Sequence, residues 1–140
     1  MNWIVAASLS AVFAALTAIL AKIGVKDVNS NLATAIRTVV ILIFAWGIVF
    51  FTGTQKELGS INRTALIFLV LSGIATGLSW LFYFRALQIG EASKVVPIDK
   101  LSLVLTIIFA VLFLKEKLSL QVGFGAILMT IGTILIALAK

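Results

Sequence analysis

Apolar residues along this chain run in long uninterrupted blocks, and polar residues gather between them. The first block, Asn2 to Ala21, carries no charge and ends at Lys22 before the polar link Lys26, Asp27, Asn29, Ser30 and Asn31. A second helix begins near Asn31, contains Arg37, and ends at Gly53 ahead of Thr54, Gln55, Lys56 and Glu57. Arg63 and Arg85 bracket the third block, Thr64 to Phe84. Each is long enough to cross a bilayer, which takes about 20 residues of helix at roughly 1.5 Å rise per residue. The fourth block, Leu101 to Leu114, is too short alone, so its helix is extended back to Val95 and takes in Pro97, Asp99 and Lys100. Lys115, Glu116 and Lys117 form a hinge before the last block, Leu118 to Ala139, with Lys140 at its end. The pattern predicts an all-α integral membrane protein, one domain over 1–140, with crossings at about 2–21, 31–53, 64–84, 95–114 and 118–139. The first block reads as a retained crossing, because no basic residue precedes it and it is longer than a signal-peptide core. Alternating segments of the kind that build a membrane β-barrel are absent.

Composition sharpens this picture by exclusion. The 140 residues are 62% hydrophobic and 11% charged, whereas a soluble domain is nearer half apolar and a quarter charged. There is no Cys and no His, which removes thiolate chemistry and the commonest neutral-pH acid, base and metal ligand. The five carboxylates, Asp27, Glu57, Glu91, Asp99 and Glu116, recur at no spacing that suggests a catalytic dyad or a metal cage. No phosphate-cradling glycine loop and no nucleophile elbow is present. An enzyme is not expected, and no cofactor or metal is implied. The net charge of +6 does not indicate a nucleic-acid partner, since the basic residues lie between apolar runs as membrane-flanking anchors instead of on one soluble face.

Five crossings place the two ends of the unit on opposite sides of the bilayer. Lys56, Arg63, Lys115 and Lys117 then fall on one side, and Lys22, Lys26, Arg85, Lys94 and Lys140 on the other, with Arg37 and Lys100 displaced toward the membrane. Orientation follows the Lys/Arg bias of short loops, and here the bias is weak. It is compatible with a single orientation or with insertion both ways round.

Polar residues inside the crossings are where function is expected, because they are costly in hydrocarbon unless they face protein or water. Ser72, Thr76, Ser79 and Tyr83 are spaced by four, three and four and share one face of the third helix. They suit an aqueous substrate pathway, or ordinary interhelical hydrogen bonding. Gly73 and Gly77 form a small-residue edge for close packing, continued by Trp80 and Phe84 as an aromatic wall. An aromatic wall beside hydroxyls suits an amphiphilic organic solute. In the fourth helix Asp99, Ser102 and Thr106 share a face, with Lys100 about 100° away. Pro97 is either a first-turn residue that leaves Asp99 at a helix N-terminal dipole, or an interruption that sets Asp99 and Lys100 deeper as proton-coupling or binding groups. Gly125 and Gly132 mark a packing seam in the last helix.

The stretch YFRALQIGEASKVVPIDKLSLVLTIIFAVLFLKEKLSL, residues 83–120, followed by Gly125 and Gly132, resembles the EamA domain of the drug/metabolite transporter superfamily. The matching positions are Ala86, Leu87, Ala92, Ser93, Pro97, Leu114, Glu116, Gly125 and Gly132. One departure is visible: the family pattern commonly has Gly before the Glu, and this chain has Lys115. The resemblance implies a secondary transporter, an exporter of a small organic metabolite or drug-like solute, working by alternating access in the cell (inner) membrane. It further implies that this five-helix unit is one half of a ten-helix inverted repeat, completed by an antiparallel copy of itself or by a homologous five-helix partner. A five-helix unit duplicated in tandem is inverted automatically, and a separate copy reaches the same arrangement by inserting the other way round. Related small multidrug resistance proteins use a Glu in helix 1, where this chain has only Ser8, Ser10 and Thr17. That leaves Asp99 as the coupling candidate, with Lys100 as alternative. The competing reading is a small structural or accessory membrane subunit without a pathway of its own.

Overall fold

The computed structural model describes residues 2–139, so Lys140 and its anchoring role lie outside the described residues. Among the described residues six α-helices occur, α1 Trp3–Gly24, α2 Ser30–Thr52, α3 Arg63–Ile89, α4 Ala92–Asp99, α5 Leu101–Leu114 and α6 Leu120–Leu138, with a 3-10 segment Thr54–Ser60 between α2 and α3. No strand occurs among the described residues. With α4 and α5 taken together, five segments of 22, 23, 27, 23 and 19 residues are long and apolar enough to cross a membrane. The protein is an all-α membrane protein.

Local chemistry explains where the helices stop. Asn29 Oδ1 accepts the N–H groups of Asn31 and Leu32 at 2.9 and 3.4 Å and starts α2. Asn62 Oδ1 accepts from Ala65 at 2.7 Å at the start of α3, and Ser119 Oγ from Val122 at 3.2 Å at the start of α6. Each cap satisfies one or two of the donors that a helix start leaves unpaired. Gly53 closes α2 in the left-handed region (φ 75°), with its N–H on the Phe50 carbonyl.

Several boundaries differ from those read off the charges. α1 runs to Gly24 and takes in Lys22, and α3 runs to Ile89 and takes in Arg85. Lys and Arg are good helix formers, so a charge at the bilayer rim does not end the helix. α6 starts at Leu120, not Leu118, so the link from α5 is five residues, 115–119, instead of a three-residue hinge. The fourth crossing is two helices. Pro97 lies inside α4, which starts at Ala92, and is therefore not a first-turn residue; Asp99 ends α4 instead of sitting over a helix N-terminus.

The chain divides into two compact units. In the one containing α4, α5 and α6, α6 packs against both α4 and α5. The other, Leu20–Gln88, holds the end of α1, α2 and nearly all of α3. Its buried centre is Val25, Phe84 and Leu87, with the hydroxyls of Ser30 and Thr34. Thr34 donates to the Ser30 carbonyl at 2.8 Å, so that hydroxyl is satisfied within its own helix. Elsewhere the large apolar side chains point outward, Phe51 at 93% exposure and Phe82 at 76% among them. Hydrocarbon can cover such a surface, and the backbone groups beneath it are paired within the helices as a bilayer demands.

Candidate transport site

The hydroxyl stripe of α3 is not part of the buried centre of its unit. Ser72, Thr76 and Ser79 are exposed, while Trp80 and Tyr83 are half-buried. Thr76 donates to the Ser72 carbonyl at 2.9 Å, which satisfies the hydroxyl without a second helix. The face of α3 turned inward in this unit is instead the neighbouring one, with Gly77 and Trp80 half-buried and Phe84 and Leu87 buried. A Cβ added at Gly73, Gly77, Gly125 or Gly132 would meet nothing within 4 Å among the described residues.

The second constellation is rearranged by the break between α4 and α5. Lys100 takes φ −69° and ψ −7°, and its N–H is shared between the carbonyls of Val96 and Pro97 at 3.2 and 3.1 Å. Pro97 has no N–H for the carbonyl one turn earlier, and the ring crowds that carbonyl, so the helix cannot pass this point unperturbed. The break separates Asp99 from Ser102 and Thr106, which therefore do not share one continuous helix face. The Lys100 ammonium reaches the Asp99 carboxylate, Nζ to Oδ2 at 3.4 Å. Both side chains stay part-exposed. Thr133, buried on α6, donates to the Pro97 carbonyl at 3.4 Å and ties α6 to the interrupted segment. Thr106 donates to the Ser102 carbonyl at 2.8 Å and lines a cleft of about 230 Å³ with Glu116 and Lys117 near the α5–α6 link.

Three further groups matter that spacing did not reveal. The Arg37 guanidinium, on α2, lies 4.3 Å from the Trp80 ring centroid and 5.3 Å from that of Phe84, both on α3. The Lys22 ammonium donates to the Leu87 carbonyl at 2.6 Å. The Gln88 amide donates to the carbonyls of Val25 and Val28 at 3.2 and 2.9 Å, while its oxygen accepts from Arg85 at 3.0 Å. Together Lys22 and Gln88 fasten the end of α3 to the α1–α2 turn. One signal for Arg37 was present in the sequence: a cation inside an apolar block, and two aromatic residues four apart on another helix.

Comparison with known proteins bears on this arrangement. Residues 1–138 match the model of the EamA-like transporter family. A Sinorhizobium sp. protein named "Uncharacterized transporter in cobO 3'region" is 52% identical over 136 residues, 97% of this chain and 96% of that protein. An uncharacterized Methanocaldococcus jannaschii protein is 32% identical over 79 residues, 56% of this chain and 58% of its own length. No solved structure matches at a significant level. With a family match that spans all five crossings and a relative alike over nearly its whole length, the chain belongs to the EamA-like transporter family and is a multi-pass membrane transporter.

Proposed function

We propose that this protein exports a small organic solute across the cell (inner) membrane by alternating access, as one half of an antiparallel dimer. The observation that carries this is on α3: exposed hydroxyls at Ser72, Thr76 and Ser79 beside Gly73 and Gly77, where an added Cβ would stand in open space. Small residues let a second backbone approach closely, and hydroxyls beside such a contact line a path for a polar solute. An odd number of spans makes an inverted pairing possible only if the second copy inserts the other way round. The weak Lys/Arg bias of the loops is compatible with that. The match spans 96% of the Sinorhizobium relative. A second copy, or a homologous five-helix chain, would complete the pathway. Ser72, Thr76, Ser79, Trp80 and Tyr83 from α3 and Ser102 and Thr106 from α5 would line it.

Coupling is assigned to Asp99 at the α4–α5 break, where Lys100 is its neighbour at 3.4 Å. Protonation of the carboxylate would release the ammonium, and the interrupted backbone around Pro97 gives the segment room to move. The chain has no native Cys, so Thr76→Cys and Ser79→Cys provide clean reporters. Both are expected to react with membrane-impermeant thiol reagents, faster in one conformational state than the other. Asp99→Asn is expected to abolish pH-driven uptake in proteoliposomes with expression and dimerisation retained. Inert cysteines at both positions would instead favour an accessory subunit with sealed helices, and undiminished proton-driven uptake would remove Asp99 from the mechanism.

A further inference from the structure

We propose that Arg37, stacked on Trp80 and Phe84, forms an oxyanion-binding site that takes the carboxylate or phosphate of an amphiphilic ligand. This rests on the transporter reading and gives its ligand a chemical class. Arg37 is the eighth residue of α2, about 10 Å along the helix from its start at roughly 1.5 Å per residue. A guanidinium at that position in a membrane-spanning segment is costly unless something compensates it. Among the described residues the ion pairs are Lys94 with Glu91 and Lys100 with Asp99, and neither includes Arg37. What faces it is aromatic: the rings of Trp80 and Phe84, with the Tyr83 phenol within electrostatic range.

That surrounding is selective. Ring faces attract the cation through the quadrupole and shield it from hydrocarbon. They do not accept the in-plane N–H groups, whose fixed fork matches the two oxygens of a carboxylate or phosphate. Phe84 is buried and Trp80 half-buried, so the rings are held in place before any ligand arrives. The apolar wall suits a ligand whose charged head is attached to an organic body, since a bare inorganic ion would leave the wall unused. A lipid phosphate offers the same head chemistry as a soluble organic anion, and the two are separable by experiment.

The full-length protein, carrying Trp3→Phe and Trp46→Phe so that Trp80 is the sole tryptophan, would be reconstituted in phosphatidylcholine vesicles. Phenyl phosphate, benzoate and benzylammonium would then be titrated while Trp80 emission and the apparent Tm are followed. The two anions are expected to shift the emission and raise Tm, and benzylammonium to do neither. Arg37→Gln is expected to weaken the anion response about tenfold or more, as loss of charge-assisted hydrogen bonds does. Arg37→Lys, which keeps the charge and loses the fork, should fall between. The comparison of anion with ammonium on the Arg37-containing protein stands even if the Arg37 variants fail to fold. Vesicles containing phosphatidylglycerol form the second arm. An Arg37-dependent shift on its addition, with soluble anions displaced, would assign the oxyanion to a lipid headgroup; no shift there, with anions active, would assign it to the solute. Equal responses to benzylammonium and the anions, or no response to anions and anionic lipid alike, would overturn the site. Uptake measured in parallel separates the two claims. Transport without an anion response defeats the site alone, and anion binding without transport of any probe defeats the proposed organic-solute export alone.

Discussion

Replacing Gln88 by Leu should loosen the end of α3 from the turn between α1 and α2. Two donor bonds are lost, to the Val28 carbonyl at 2.9 Å and the Val25 carbonyl at 3.2 Å, and Val25 is one of the most deeply buried residues of the chain. Side-chain hydrogen bonds in membrane proteins average about 0.6 kcal/mol and reach about 1.7, so the pair contributes about 1–3 kcal/mol. The lower figure applies if water replaces the amide at the carbonyls and the upper if it does not. Lys26 lies exposed between those two carbonyls, which makes trypsin a local probe. When opening is fast relative to cleavage, the cutting rate follows the open population, and about 1–3 kcal/mol at 1.4 kcal/mol per factor of ten is roughly a five- to 150-fold faster cut. Limited proteolysis in mild detergent, with cleavage after Lys26 identified by mass, measures this directly. Gln88→Glu is the informative control: it keeps an acceptor for Arg85, now at 3.0 Å, and has no N–H to give the carbonyls. It should open the turn at least as much as Leu does. A Gln88→Glu protein as resistant as the unmodified chain would show that the Arg85 contact, not the clamp on Val25 and Val28, secures the turn.

Two further changes test the backbone. Lys115 is the one non-glycine among the described residues with positive φ (56°), a conformation that costs an L-residue about 1–2 kcal/mol. Lys115→Gly is therefore expected to raise stability by up to about 1 kcal/mol after the added freedom of the unfolded chain is subtracted, read as a higher apparent Tm in detergent. A fall in Tm would mean the lysine side chain contributes more than its backbone strain removes. Pro97→Ala restores the missing N–H inside α4, where Pro is less favourable than Ala by up to about 3 kcal/mol in a helix interior. The variant should be thermally more stable, exchange amide hydrogens at 97–101 more slowly, and transport more slowly. Faster exchange across that segment would refute the proline as the origin of the break.

The crossings were legible because so few charges interrupt the apolar blocks, and every block does form a helix. Their ends were less legible, since Lys22 and Arg85 look like boundaries yet lie inside α1 and α3. Helix hydrogen bonding continues past the hydrocarbon until a residue such as Gly53 or a capping Asn stops it. A proline near the start of a crossing fits either a first turn or an interruption, and only the Ala92 start of α4 decides between them. Lys115 shows a different failure. Its residue type argues against the left-handed backbone it adopts, and the glycine common at that position in the resembling pattern was the signal that the turn needs positive φ.

Four of the charges within the spans, Lys22, Arg37, Asp99 and Lys100, have three separate fates, and composition alone could not distinguish them. Lys22 is satisfied by a backbone carbonyl at 2.6 Å, which makes it a structural clamp. Asp99 and Lys100 face each other at 3.4 Å beside a helix interruption, so each is the other's counter-charge. Arg37 has aromatic faces where Lys22 and Lys100 have oxygen. A cation held by rings keeps all of its donors available, whereas one held by a carbonyl or carboxylate has committed at least one. That difference, set by contacts between residues more than forty positions apart in the chain, is why Arg37 and not Lys22 is where a ligand's oxyanion would be recognised.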